Sequence, residues 1–141
     1  MGECQKEKRK STITFPQLLD RVAVLIPLIR GWNPDVHLAV NPGGLVLSGI
    51  IGYHLPQEVR SLAVQPSSLE ILWENLGNIR GKRALLVTDR FFNPEGKKLA
   101  EAFLEERGVL SVVTLVVLGR EGDFSCFPEL PKETLLPWEK E

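Results

Sequence analysis

The sequence predicts an α/β domain built on a central, mostly parallel sheet with helices on both faces. Three observations predict it. Strand-patterned and helix-patterned segments alternate along the chain, the order that parallel strands with crossover helices produce. The runs "RALLVT" (Arg83 to Thr88) and "LSVVTLVVL" (Leu110 to Leu118) are almost continuously apolar, as expected of strands covered on both faces. From Phe15 to Ile29, apolar residues fall at Phe15, Leu18, Leu19, Val22, Leu25, Ile26 and Ile29, the spacing of a helix that buries one stripe.

The elements follow in order. Pro27 should kink or end the first helix, because proline has no N–H to donate. "GWNPD" (Gly31 to Asp35) is a turn, "VHLAV" (Val36 to Val40) a short strand, and "NPGG" (Asn41 to Gly44) a tight loop. "LVLSGIIGYHL" (Leu45 to Leu55) reads as a buried helix, with Ser48, Gly49 and Gly52 small enough to lie close to a sheet. "VRSLAV" (Val59 to Val64) is the second strand. "SSLEILWENL" (Ser67 to Leu76) reads as a helix capped by Ser67 or Ser68. After the third strand at Arg83 to Thr88, a helix runs from Glu95 to Arg107 with Leu99, Ala102 and Phe103 on one face, and Gly108 ends it. The fourth strand is Leu110 to Leu118; the remainder is irregular with one short strand.

A chain of 141 residues suits one domain with a real core: a flexible basic start over residues 1–12, then a folded domain over 13–141. The net charge of −1 gives no global attraction to nucleic acid or anionic membrane, so neither is an expected partner. The basic run "KEKRK" (Lys6 to Lys10) reads as a solvated terminus. Cys4 and Cys126 have no metal-ligand spacing and read as free thiols of a reducing compartment. The start resembles no signal peptide, and the longest apolar run, Val22 to Ile29, falls far short of the ~20 residues that span a bilayer. A cytoplasmic protein is therefore expected. His37 and His54 have no second ligand at metal spacing and read as packing or surface residues; no metal site is expected from them.

In sheets of this kind, ligands bind outside the carboxyl ends of the strands. Two loops are expected there: "NPGG", offering backbone N–H groups to an anion, and "TDRFFNPEG", running from Asp89 to the helix start at Gly96. A helix start attracts anions through its free N–H groups and its dipole. Gly96 lets a ligand approach, Lys97 and Lys98 add positive charge, and Asp89 is placed to hydrogen-bond sugar hydroxyls or act through bound magnesium. The competing reading is that the glycines serve turn geometry and the lysines are merely solvated. A receiver domain, whose phosphorylated Asp also ends a strand, is disfavoured because "NPGG" stands where its acidic pair would be.

Taken in order, "PDVHLAVNPGGLVLSGIIGYHL", "IRGKRALLVTDRFFNPEGKKLAEAFLEERGVLSVVTLVVL" and the terminal "PWEKE" resemble a type I phosphoribosyltransferase of the purine (xanthine or hypoxanthine) kind, from about Phe15 to Glu139. The resemblance implies a single-domain, Rossmann-like core and a site for 5-phosphoribosyl 1-pyrophosphate. Asn41, Pro42, Gly43 and Gly44 would form the pyrophosphate loop. Asp89 would grip the ribose and serve catalysis, and Asn93, Glu95, Gly96, Lys97 and Lys98 would surround the 5-phosphate. Phe127 and Trp138 would lie toward the base; Pro137-Trp138-Glu139 matches the Phe-Pro-Trp-Glu ending of some purine members. Magnesium is implied if the site is active, and a homodimer is implied because family members are often dimers.

Several residues depart from the family. Its acidic pair is Thr88-Asp89, so one carboxylate remains. Glu95 and Lys98 replace two threonines that donate to the 5-phosphate, and Pro42 removes an N–H from the pyrophosphate loop. Each lost charged hydrogen bond costs about 1.5–3 kcal/mol. The expected function is therefore binding of a phosphorylated ribose or nucleotide, with transferase activity weakened or lost. The alternatives are an active purine phosphoribosyltransferase with a divergent loop, and a non-catalytic interaction protein or homodimer using the old cleft.

Overall fold

The computed structural model describes residues 11–40, 43–55, 57–64, 70–91 and 95–139. Among the described residues, three helices and six strands follow in chain order: α1 (Phe15–Trp32), β1 (Val36–Val40), α2 (Gly43–His54), β2 (Glu58–Val64), β3 (Ile71–Glu74), β4 (Arg83–Val87), α3 (Glu95–Glu106), β5 (Ser111–Leu118) and β6 (Phe124–Phe127). The strands form one sheet in the order β3-β2-β1-β4-β5-β6. Among the described residues, the β2–β3 pairing alone is antiparallel, and the other strand pairings are parallel.

Side chains alternate across each strand and feed two cores. Leu85 and Val87 of β4 and Leu115 and Val117 of β5 meet Leu18, Val22, Ile26 and Ile29 of α1 and Leu47 and Ile51 of α2. On the opposite face, Val36 and Leu38 of β1 and Ala84 and Leu86 of β4 meet Leu104 of α3, with Leu76 and Ile79 from the connection before β4.

Local chemistry fixes α1 at both ends. Thr14 and Gln17 form a reciprocal capping box, and Asn33 closes the helix in the left-handed conformation at φ 62°. Arg83 then donates from Nε and Nη2 to the Trp32 carbonyl and stacks on the Trp32 ring at 4.4 Å, tying the helix end to the start of β4. On its other side, Arg21 donates to the Cys126 carbonyl at 2.7 Å, pairs with Glu129 and covers the Phe127 ring at 4.4 Å, which docks α1 against β6. Thr12 bridges Leu135, bringing the chain before α1 beside the C-terminal segment.

Three expectations are corrected. The helix runs through Pro27 to Trp32. Pro27 is exposed, and so is Ala23, whose carbonyl loses the donor, so water can take its place. The helix expected over Ser67 to Leu76 is absent from the described part of that span, where Ile71–Glu74 is an edge strand antiparallel to β2. Its β-branched and aromatic residues suit a strand, and its helix-like apolar spacing buries little, since Leu72 and Trp73 are exposed. The expected cap, Ser67 or Ser68, lies outside the described residues. Lastly, Gly43 and Gly44 belong to the first turn of α2 and not to a loop.

Candidate functional site

The strand order defines where a site can form. From β1 the chain winds through α2 to β2 on one side; from β4 it winds through α3 to β5 on the other. The direction reverses between β1 and β4, and the crevice of such a fold opens at the carboxyl ends of those two strands.

The sequence folds tightly at this point. An added Cβ on Gly44 would overlap the Val87 carbonyl, and one on Gly43 would overlap the Asp89 carboxylate. Only glycine lets the head of α2 rest directly on the end of β4. The first turn of α2 carries no acidic residue of its own, so the Asp89 carboxylate lies where the helix dipole favours an anion. The Asp89 carbonyl accepts from the amides of Val117 and Leu118 at 2.9 and 3.0 Å, which locks the turn onto β5. Asn41 and Pro42 lie outside the described residues.

Arg90 sits beside Asp89 with its side chain only 3% exposed. Its Nη1 donates to the carbonyls of Lys132 at 2.7 Å and Thr134 at 3.3 Å. Its Nη2 lies 2.6 Å from Glu139 Oε1, an ion pair not aligned as a hydrogen bond, and 3.8 Å from Asp89 Oδ2. Glu139 Oε1 also accepts from the Leu136 amide at 2.9 Å. Burial pushes the Asp89 carboxyl above the usual range; the Glu139 charge adds to this, and the adjacent Arg90 guanidinium opposes it. A buried cation thus stands between two partly exposed carboxylates at the carboxyl end of β4.

The head of α3 carries its own negative charge. Glu95, exposed in the first turn, supplies negative charge to the positive end of the helix. Gly96 is half-buried and Lys98 exposed. Lys97 lies 3.7 Å from Asp123, whose other oxygen accepts from the Thr114 amide at 2.9 Å. Asn93 falls outside the described residues.

The aromatic residues divide. Phe91 packs on the α3-side core, as a lid over the sheet end would. Trp138 packs against the α1/α2-side core and tilts against Phe15, with ring centroids 6.1 Å apart. Phe127 is a buried core residue whose ring face is taken by Arg21, so it does not present a free stacking surface for a base.

Sequence reasoning missed the pairing of Arg90 with Glu139. Arg90 reads as one more loop residue, and no spacing rule links it to an acid in the tail. Among the described residues no group of three or more His, Cys, Asp or Glu could hold a metal ion. With Arg90 already beside Asp89, a magnesium ion fits here only if an anionic ligand brings most of its oxygen donors. No helix among the described residues is long and apolar enough to cross a membrane.

This fold, a six-stranded, mostly parallel sheet whose strand order reverses between β1 and β4, is that of the type I phosphoribosyltransferases. Superposition on solved structures shows it. A purine phosphoribosyltransferase from Pyrococcus horikoshii Ot3 matches with a TM-score of 0.82 at 19% identity, over 94% of this chain and 95% of that one. A hypoxanthine phosphoribosyltransferase from Staphylococcus aureus matches at 0.76 and 14% identity, over 89% and 80%. The hypoxanthine phosphoribosyltransferase of Trypanosoma cruzi matches at 0.72 and 17%, over 84% and 80%. No protein-family profile and no curated protein sequence matches the chain.

Proposed function

We propose that the protein binds a phosphorylated ribose or a nucleotide at the carboxyl ends of β1 and β4, with transferase activity weakened or lost. The observation that carries this reading is the meeting of Gly43 and Asp89 at the point where the strand order reverses. In this reading Asp89 binds the ribose hydroxyls. Gly96, Lys97 and Lys98, with Asn93 and Glu95 around them, face the 5-phosphate. Asn41 to Gly44 face a pyrophosphate, and Trp138 lies toward the base. Asp89 would help hold a magnesium ion brought by a pyrophosphate-bearing ligand, and the ion would offset that ligand's negative charge.

Weakened catalysis follows from charges already spent within the chain. Lys97 faces Asp123, Glu95 would repel a phosphate, and Arg90 partly neutralises Asp89. Transfer through an oxocarbenium-like sugar depends on donors aimed at the leaving pyrophosphate, and Pro42 takes one such N–H away.

The test is a calorimetric titration of 5-phosphoribosyl 1-pyrophosphate, with and without magnesium, and of inosine monophosphate, into the wild-type protein and Asp89→Asn. Binding that weakens at least ~10-fold in the variant, about 1.4 kcal/mol, is expected, with no turnover of hypoxanthine. Turnover would favour an active purine phosphoribosyltransferase instead. Silence from both ligands at millimolar concentration would sink the binding reading. It would favour an interaction protein or homodimer, which the groove between α1 and α2 supports: Leu19, Ile50 and Tyr53 line it, and Tyr53 is 91% exposed.

A further inference from the structure

Among the described residues, Arg90 joins the C-terminal segment to the end of β4. Arg90 reaches from the strand-end turn to the carbonyls of Lys132 and Thr134 and to the Glu139 carboxylate, while remaining within 3.8 Å of Asp89. The segment has other ties: Lys132 pairs with Glu121, and Leu135 exchanges backbone hydrogen bonds with the chain before α1, at 3.0 Å to the Ile13 amide and 2.8 Å to the Ser11 carbonyl. Leu135 and Leu136 are buried, and Trp138 lies against the core. These apolar contacts hold the segment to the domain. The contacts that orient its charged end toward the crevice run through Arg90.

We propose that Arg90 is a positioning residue: its guanidinium holds residues 134–139 in place as a wall of the switch-point site and fixes Asp89 against the head of α2. The wall is an addition to the ligand site proposed above and rests on that reading; the clamp itself stands without a ligand. Arginine suits the role, because its planar fork keeps its charge and can serve two carbonyls with one nitrogen and a carboxylate with the other. Lysine offers a single point charge and cannot span both.

The experiment compares wild type, Arg90→Lys and Glu139→Gln. Amide hydrogen exchange is measured without ligand, and inosine monophosphate and magnesium 5-phosphoribosyl 1-pyrophosphate are then titrated by calorimetry. Protection of the Leu136 and Glu139 amides is expected to fall at least ~10-fold in both variants, while amides of β1 and β5 keep theirs. The Asp89 carboxyl, followed by carbon NMR across a pH series, should titrate lower in Glu139→Gln, because a repelling charge has gone. A tail charge not held beside Asp89 would leave that midpoint unmoved. Affinity for whichever probe binds wild type should fall at least ~10-fold in Glu139→Gln. Should Arg90→Lys fail to fold, Glu139→Gln alone decides the matter. Unchanged tail protection and an unmoved Asp89 midpoint would overturn the clamp. Loosened tail amides with undiminished affinity would overturn the wall. If wild type binds neither probe, the ligand reading and the wall fail together, and the exchange and titration data still decide the clamp.

Discussion

Replacing Gly44 by alanine should destabilise the protein, although the same change in a helix usually helps. Two opposing effects set the sign. Alanine in a helix gains about 0.5–1 kcal/mol over glycine through lower backbone entropy. At Gly44, however, the new Cβ would overlap the Val87 carbonyl and crowd the Ala39 backbone. Neither obstacle can swing aside, since β1 and β4 are paired on both edges. Overpacking of that kind costs roughly 1–3 kcal/mol, and a backbone obstacle belongs near the top of the range. The net expectation is about 1–2 kcal/mol of destabilisation, or a melting temperature roughly 3–8 °C lower for a domain of this size. Gly49→Ala is the control: it lies on the same helix with no atom within 4 Å of its would-be Cβ, so only the favourable effect remains. Gly43→Ala falls between them, because the Asp89 side chain it meets can rotate, at the expense of the site. Urea midpoints followed by circular dichroism would rank the three. If Gly44→Ala proves as stable as Gly49→Ala, α2 is not seated on β4, and the geometry of the crevice is wrong.

Two further outcomes are expected. His37 is wholly buried in β1, and burial lowers its pKa below the ordinary ~6.5, so the folded state holds it neutral. The unfolded chain then binds more protons at mildly acid pH; this contribution to stability is intact above ~6.5 and is lost as pH falls from there toward the folded value. The drop in urea midpoint between pH 7.5 and 5.5 should be smaller in His37→Leu, and an equal drop would count against a buried neutral imidazole. The Cys126 thiol is pushed up to about 12 by burial, despite nearby Arg21. Peptide mapping after iodoacetamide treatment at pH 8 should find Cys126 unlabelled in the native protein and labelled in urea; native labelling would show that the β6 edge opens.

The sequence was most legible where one physical cue dominated. β4 and β5 were plain because both their faces are covered, and that leaves almost no place for a polar residue. The stripe of α1 and the stop at Gly108, with φ +84°, were equally direct. Residues 71–74 were misread because a four-residue edge strand is too short for its period to outweigh helix-like spacing. The meeting of Gly43 with Asp89 was foreseeable only as two loops at one end of a sheet. The pairing of Arg90 with Glu139 was not foreseeable at all, since it is made by folding and leaves no mark in local spacing.

The docking of α1 also shapes how the chain must fold. Arg21 reaches the Cys126 carbonyl, Glu129 and the Phe127 ring, partners more than a hundred positions away. A helix of 18 residues can form within about a microsecond, but part of the surface that receives it exists only once β6 has joined the sheet. Until then its stripe of Leu18, Val22, Ile26 and Ile29 lacks full cover. Such late, sequence-distant closure slows the search and favours a cooperative transition over a partly built sheet. Any intermediate without β6 would expose an apolar helix face, and its characteristic failure would be aggregation.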